Sequence, residues 1–330
     1  MAQSVVASET VIKKVNALQG DARQQLLLSE AKKEGTLTLY HVNLEDIPAI
    51  SAAFTKKYGI KVVLWRGSAV TVTNRLVSEA RGGRFVADIV DSNALGMEAL
   101  HREKLLQPVQ SPYDKDLIPE AFSSGKDWVA TTIDPIIAAY NTNKVKKADL
   151  PKSYDDLLDP KWKGMLSVES TDEAWFGTLM DKIGPQQGKK LFKDIVAKNG
   201  IMVRTGHSLL ANLVASGEVP LGLTLYAYAP ERLKKKGAPI DWFVIPPGIG
   251  QPRGIAMLSK TQHPYSALLF YDFMLNEGQQ MYGDSAQYPT SKKIKANAGT
   301  LKLTNIDPAR NLDHEGEWRN DYETIITKAK

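Results

Sequence analysis

The sequence predicts an α/β protein made of two lobes, on three observations. Segments with the two-residue alternation of strands take turns with segments of helical periodicity along most of the chain. In the first half their order is β-α-β-α-β with short turns, which favours a mostly parallel sheet flanked by helices. The 330 residues are too many for one ordinary core and suit two.

The first half of the chain begins with helix and then alternates. Apolar residues from Val11 to Leu18 fall on one helical face, and a second helical stretch ends at Gly35, a residue type that commonly terminates helices. Beyond it the pattern predicts strands at 36–42, 60–65 and 87–90 and helices at 47–58 and 68–81. Glycines at 59 and at 82–83 mark the ends of these two helices.

The second half repeats the alternation. Strand-like runs occur within 127–140, and further strands are predicted at 164–168, 219–226 and 240–245. Helices are predicted at 153–158, 177–183, 189–199 and 266–278, with another that ends at Gly217. The sequence therefore predicts that the chain crosses between the two lobes more than once, and a more polar tail follows.

The composition excludes several classes of function. The chain has no run of about 18 to 20 apolar residues, the length that crosses a bilayer. It has no cysteine, which excludes disulfides, thiol catalysis and cysteine-ligated metals. The net charge is +5, but the basic residues are dispersed near predicted helix ends, and no nucleic-acid-binding motif accompanies them. We expect neither a membrane-spanning protein nor a nucleic-acid partner.

Several short sequence motifs occur along the chain in a characteristic order and spacing. Each is weak evidence of a family alone, and their shared order makes the evidence strong. They are Ala31-Lys-Lys-Glu-Gly35 leading into Leu37-Thr-Leu-Tyr40, Ala53-Phe54, Lys57-Tyr-Gly-Ile-Lys-Val62, Ala87-Asp-Ile-Val90, Tyr140-Asn-Thr-Asn143, Leu157-Leu-Asp-Pro-Lys-Trp-Lys-Gly164 and Ala215-Ser-Gly-Glu-Val-Pro-Leu-Gly222. Over roughly residues 28–290 the chain thereby resembles the periplasmic solute-binding proteins of bacterial ABC importers, in the branch that includes the ferric-iron-binding members.

The resemblance implies a two-lobe clamp with two hinge crossovers, a ligand held in the cleft between the lobes, and delivery to an inner-membrane ABC permease. It places lobe 1 at 34–132 plus 252–290 and lobe 2 at 133–251. An N-terminal helical segment, 1–33, precedes them, and a C-terminal segment, 291–330, packs back across them. It also implies a periplasmic monomer. The start at Met1-Ala2-Gln3 carries no signal peptide, so we expect a processed secreted protein.

Three turns that follow predicted strands are candidate ligand sites, because open α/β sheets bind ligands at the carboxyl ends of their strands. Helix N-termini with nearby arginines suit a phosphate or carboxylate, which predicts a small anionic ligand. The candidate residues are Arg66, Ser68, Ser170, Thr171, Trp175, Arg204, His207, Ser208, Tyr226, Tyr228 and Arg253. In the alternative interpretation Ser68 and Ser208 are ordinary helix caps, the arginines lie on the surface, and Trp175 is a core residue.

Ferric iron is the alternative ligand, and the resemblance implies it. Iron-binding relatives carry two adjacent tyrosines after the corresponding strand, and here Ala227 separates Tyr226 from Tyr228. On a strand both tyrosines would still point to one face. His41 is the candidate histidine ligand, although it comes earlier than the family's histidine. Fe³⁺ would be the transported ligand, and no resident cofactor is expected.

Two further functions compete with transport. An enzyme on the same fold is disfavoured, because the sequence lacks a Gly-x-Ser-x-Gly elbow, a Walker A loop, a Gly-x-Gly-x-x-Gly turn and a His-Glu-x-x-His helix. A chemosensory binding protein would use the same clamp to address a sensor, and the sequence does not separate that function from transport.

Overall fold

The computed structural model of the protein describes residues 8–42, 46–295 and 298–328. These residues form two compact units. Unit 1 consists of Met1–Ile133 with Pro252–Thr300, and unit 2 of Asp134–Gln251 with Leu301–Lys330. The predicted α/β fold class is confirmed. The segment before residue 34 belongs to unit 1, and the C-terminal segment divides at residue 300; its packing across both lobes stays a prediction.

Helices and strands alternate through the described residues. The helices are α1 (Ser8–Asn16), α2 (Gly20–Glu34), α3 (Asp46–Tyr58), α4 (Ala69–Arg81), α5 (Ala94–Arg102), α6 (Glu173–Ile183), α7 (Pro185–Asn199), α8 (His207–Ser216), α9 (Tyr228–Lys235), α10 (Pro264–Leu275), α11 (Glu277–Asp284) and α12 (Pro308–Tyr322). The strands are β1 (Thr36–His41), β2 (Lys61–Arg66), β3 (Ile89–Asn93), β4 (Leu106–Gln107), β5 (Val129–Asn141), β6 (Leu166–Glu169), β7 (Met202–Arg204), β8 (Leu221–Tyr226), β9 (Ile240–Phe243), β10 (Gly248–Leu258) and β11 (Leu303–Asn305). Within the described ranges, no helix is long and apolar enough to cross a membrane.

The sheet of unit 1 has a parallel core. β1 pairs in parallel with β2 on one side and β3 on the other, and His41 lies in register with Arg66 and with Asp91. The part of β10 that belongs to unit 1 pairs antiparallel with β3, with Arg253 opposite Asn93. The carboxyl ends of β2, β1 and β3 therefore meet at one edge of this sheet. Arg253, near the start of the part of β10 in unit 1, lies at the same edge.

The sheet of unit 2 is mixed. β6 pairs in parallel with β7, where Glu169 is in register with Arg204, and with β8. β5 runs antiparallel to β8, with Ile136 opposite Tyr226, and also pairs antiparallel with β9. The carboxyl ends of β6, β7 and β8 thus bring Glu169, Arg204 and Tyr226 to one edge.

The N-terminal helices complete the core of unit 1. α10 is buried on nearly all of its surface, and α1 and α2 pack against it. From α2, the guanidinium of Arg23 bonds to the carboxylate of Asp272, which also accepts a hydrogen bond from Ser111 Oγ at 2.7 Å. Both members of the ion pair are buried. The helical segment before Gly35 is therefore an integral part of unit 1.

An aromatic cluster fills the core of unit 2. Trp175 and Phe176 of α6 pack with Phe192 of α7 and Tyr322 of α12, at centroid distances between 5.4 and 5.9 Å. Trp162 is buried in the same cluster. This packing fixes α6, whose first residue follows the end of β6 by only four positions.

The structure differs from the predicted elements in two places that matter for the site. The predicted helix at 177–183 begins earlier, at Glu173, so that Trp175 is helical. The strand predicted to run through 226 ends there, since Ala227 has a right-handed helical conformation (φ −56°, ψ −30°) and Tyr228 is the first residue of α9. The strand-alternation argument for the two tyrosines is therefore wrong.

Candidate functional site

Three aromatic rings form a row at the carboxyl end of β8 in unit 2. The rings of Tyr226 and Tyr228 are stacked, with centroids 5.9 Å apart and planes 8° from parallel. The ring of His207, the first residue of α8, lies 4.5 Å from that of Tyr226. The two tyrosines are thus neighbours, as predicted, but through the turn from β8 into α9 rather than through strand alternation.

Two carboxylates join His207 at this edge. Glu169 ends β6 and Asp172 precedes α6, and one ligand-type atom from each of them and from His207 lie within 4.8 Å of one another. His207 Nε2 is 3.1 Å from Asp172 Oδ1. Sequence reasoning singled out this turn after β6, but it selected Ser170, Thr171 and Trp175 and missed the two acids. Their signal was an acidic residue at the end of a buried strand and a second one three positions later.

The carboxylate of Glu169 ties two turns together. Its Oε1 accepts a hydrogen bond from the Gly206 N–H at 2.9 Å, and its Oε2 accepts one from Thr171 Oγ1 at 2.8 Å. Burial raises the pKa of Glu169, but the backbone N–H groups of Gly206 and Thr171 outweigh it, so the pKa lies below its usual value. Glu169 is therefore an anion held at the start of α8.

The predicted ligand residues Ser170 and Thr171 use their hydroxyl groups inside this turn. Ser170 Oγ donates to Glu169 Oε1 at 3.2 Å and also bonds Thr205 Oγ1 at 3.1 Å. Thr171 Oγ1 donates to Glu169, as described above. Both hydroxyls are engaged within the turn, and the roles of Ser170 and Thr171 in ligand binding stay predictions.

The charge around His207 favours its protonated form. Burial alone would lower the pKa of His207. The charge of Asp172 and the hydrogen bond with it, together with the charge of Glu169, outweigh that effect and raise the pKa above its usual value. At this edge of unit 2, the two carboxylates Glu169 and Asp172 therefore favour a positive charge on the imidazole of His207.

The anion site predicted at the start of α8 is not assembled. The N-cap of α8 is Gly206 (φ 102°), and Ser208 is an exposed residue within the helix. Arg204 Nη1 donates to the Val203 carbonyl at 3.1 Å, and its Nη2 lies 3.9 Å from Glu218, beyond the C-terminal end of α8. Because Glu169 already occupies the positive end of the helix, a second anion there would meet a like charge.

Trp175 does not offer a stacking surface. Its side chain is 1% exposed and packs among Tyr154, Phe176 and Phe192. The early start of α6 directs the indole into the aromatic core of unit 2. The alternative interpretation of Trp175 as a core residue is the one that the structure supports.

The candidate residues of unit 1 gather at its own sheet edge. Arg66 is exposed at the end of β2, and Ser68 caps α4, accepting a hydrogen bond from the Thr71 N–H at 3.1 Å. Ser68 is therefore a cap, as the alternative interpretation held. His41 is only 2% exposed at the end of β1. Roles of Arg66, His41 and Arg253 in binding stay predictions.

Proteins of known name or known structure are similar to this chain. "Iron uptake protein A1" of Synechocystis sp. is 23% identical over 312 residues, covering 84% of this chain and 85% of that protein. The structure of iron-bound HitA from Pseudomonas aeruginosa superposes with a TM-score of 0.76 at 25% identity, over 87% of this chain and 98% of HitA. AfuA from Actinobacillus pleuropneumoniae, with fructose-6-phosphate bound, has a TM-score of 0.73 over 89% of this chain and 99% of AfuA; its 21% identity shows the fold alone.

The family model for bacterial extracellular solute-binding proteins matches residues 43–281, most of the chain. That range includes most of both units and every candidate site residue except His41. The family resemblance predicted from the collinear phrases is confirmed. The chain belongs to the bacterial extracellular solute-binding proteins.

Proposed function

We propose that this solute-binding protein carries ferric iron in the periplasm and delivers it to an inner-membrane ABC permease, without performing chemistry on it. Solute binding for an importer follows from the family. The cargo, the compartment and the absence of catalysis are the parts that we propose. Of the two ligands that the sequence left open, the iron alternative has the stronger support.

The observation that carries the proposal is the set of donors at the carboxyl end of β8. Tyr226 and Tyr228 stack there, and Tyr226 packs on His207, which in turn faces the buried Asp172. Ferric iron is a hard cation and prefers anionic oxygen ligands, which phenolates and carboxylates supply. A phosphorylated or carboxylated solute at the same place would meet the charges of Glu169 and Asp172 instead.

Two further points favour iron. The cationic partner expected for an anion in unit 2, Arg204, directs its guanidinium toward Glu218 at the other end of α8. Two of the similar proteins, iron uptake protein A1 of Synechocystis sp. and iron-bound HitA, carry iron in their names or titles. Arg66 and Arg253 of unit 1 remain predicted ligand residues in either case.

Optical titration with ferric nitrilotriacetate tests the cargo. We expect a visible phenolate-to-iron charge-transfer band in the wild-type protein, and we expect Tyr226→Phe and Tyr228→Phe each to weaken Fe³⁺ binding by about 100-fold or more and to diminish the band. Tyr265→Phe, on α10 of unit 1, is the matched control and should keep both. The iron proposal fails if wild-type protein gives no band and no binding while a phosphorylated or carboxylated solute raises its melting temperature.

A further inference from the structure

A buried carboxylate that faces His207 has one oxygen without a partner among the described residues. Asp172 is 5% exposed, and its Oδ1 faces His207 Nε2. Its Oδ2 has no hydrogen-bond partner within the described part of the chain. A buried carboxylate oxygen without a donor is costly in a folded protein, and an ion is one of the partners that satisfies such a group.

The separation of Asp172 and His207 fits two ligands of one metal ion. Their nearest atoms are 3.1 Å apart. Two ligand atoms at about 2.1 Å from an octahedral ion, at right angles, are about 3 Å apart. A cation could therefore take the place of the proton between them with little movement of either side chain. His207 is also the residue whose ring packs on Tyr226.

The electrostatic surroundings favour a cation at this point. Glu169 contributes a second negative charge within the same cluster of ligand-type atoms, all within 4.8 Å. Its own oxygens are engaged by Gly206, Ser170 and Thr171. Glu169 thus adds charge, while the carboxylate of Asp172, through Oδ1 or the unpartnered Oδ2, and Nε2 of His207 supply the atoms suited to direct coordination.

We infer that Asp172 and His207 bind the transported cation directly, so that unit 2 supplies a carboxylate and an imidazole in addition to the two phenolates. The inference rests on the proposed function and extends it. It assigns the histidine ligand, which the sequence placed at His41, to His207 of α8, and it adds Asp172 from the turn after β6 as a carboxylate ligand. In this arrangement the protein offers one nitrogen and several anionic oxygens from a single unit.

Affinity and spectroscopy of matched variants test this assignment. In competition titrations with ferric nitrilotriacetate, we expect Asp172→Asn and His207→Gln each to weaken Fe³⁺ binding by at least about 10-fold. His314→Gln is the control, because His314 lies on α12 and bonds only Glu317 among the described residues. Pulsed electron paramagnetic resonance on protein labelled with ¹⁵N in histidine should detect a coordinated nitrogen in the wild type and in His314→Gln, and none in His207→Gln.

Two results would overturn the assignment: unchanged affinity in both site variants, or a coordinated histidine nitrogen that persists in His207→Gln. Failure of the proposed cargo is seen separately, as wild-type protein that does not bind Fe³⁺. In that case the same variants are titrated with Mn²⁺. If wild-type protein and Tyr228→Phe bind Mn²⁺, and Asp172→Asn and His207→Gln do not, the cation site is upheld with a different cargo. If wild-type protein does not bind Mn²⁺ either, both proposals are overturned.

Discussion

At the scale of single residues, Asp88 shows how one buried carboxylate organises a junction. It is fully buried, and its oxygens accept hydrogen bonds from the Thr38 N–H at 2.7 Å and from the Gln262 and His263 N–H groups at 3.0 Å each. Thr261 Oγ1 also donates to it. These bonds connect β1 with the start of α10, and Asp88 and His263 are 175 residues apart in the sequence.

The pair of His263 and Asp88 makes stability depend on pH. The hydrogen bond with Asp88 and then its charge, with a contribution from Glu34, raise the pKa of His263 above its usual value against the effect of burial. The folded protein therefore favours protonated His263, so this contribution is complete below about pH 6.5 and is lost as the pH rises through the raised pKa. We expect His263→Gln to remove about 1 kcal/mol of stability at pH 5.5 and much less at pH 8.5.

Urea unfolding at several pH values measures this difference, with His314→Gln as the control. An equal loss in His263→Gln at pH 5.5 and pH 8.5 would show that the imidazolium charge is not involved and that only packing is lost.

Helix capping illustrates how far single residues can be predicted. Ser68 follows β2 and precedes a helix, and its capping interpretation depends only on local chain geometry. Ser208 stands in a similar sequence context, yet Gly206 takes the cap position because its positive φ turns the chain into α8. The role of Arg204 could not be predicted in the same way, because the partner of a long, flexible side chain is not determined by its neighbours in sequence.

At the scale of elements, α6 and α12 approach each other at a glycine. A Cβ added to Gly177 of α6 would lie 1.9 Å from Cδ2 of Trp318 on α12. The indole of Trp318 therefore rests on the bare backbone of α6. Gly316, also on α12, is exposed, and a Cβ there would meet nothing within 4 Å.

These two glycines give opposite predictions. We expect Gly177→Ala to destabilise the protein by about 1 to 3 kcal/mol, because α12 must shift or Trp318 must leave its rotamer. Gly316→Ala should instead stabilise it by about 0.5 to 1 kcal/mol, because alanine loses less backbone entropy in a helix. Chemical unfolding of both variants checks the pair; similar effects of the two substitutions would mean that the close approach of α6 and α12 does not limit stability.

The break between β8 and α9 is the element-scale feature that sequence periodicity missed. The residues Leu221 to Tyr226 alternate well as a strand, and nothing in the pattern separates Tyr226 from Tyr228. The strand ends at Tyr226, opposite Ile136, because Ala227 adopts a right-handed helical conformation and leads into α9. The start of α9 then stacks one phenol ring on the other.

At the scale of the whole molecule, unit 1 is assembled from two distant stretches of chain. Residues 1–133 and 252–300 come together in it, and Arg23 with Asp272 is a buried ion pair between the two stretches. Replacing one member leaves the other as a buried charge without its partner, whereas replacing both removes the charge altogether.

We expect Arg23→Leu to lower the free energy of unfolding by about 3 to 5 kcal/mol and the double variant Arg23→Leu/Asp272→Asn to lower it by clearly less. The side-chain amide introduced by Asp272→Asn would keep an acceptor for Ser111, which donates to the carboxylate in the wild type. Thermal unfolding of the two variants beside wild type measures the difference. A double variant no more stable than Arg23→Leu would indicate that lost packing, and not an unpaired carboxylate, dominates.

The sequence by itself determined the α/β class, the family and most element positions, because periodicity and collinear phrases are properties of neighbouring residues. It also identified both turns of the site in unit 2 and the pair Tyr226 and Tyr228. Only the tertiary structure decided which side chains in those turns meet. Glu169 and Asp172 reach His207 because parallel pairing brings β6 and β7 side by side, and Arg204 finds its partner at the far end of α8. Such encounters depend on strand order and side-chain direction, which a linear pattern does not encode.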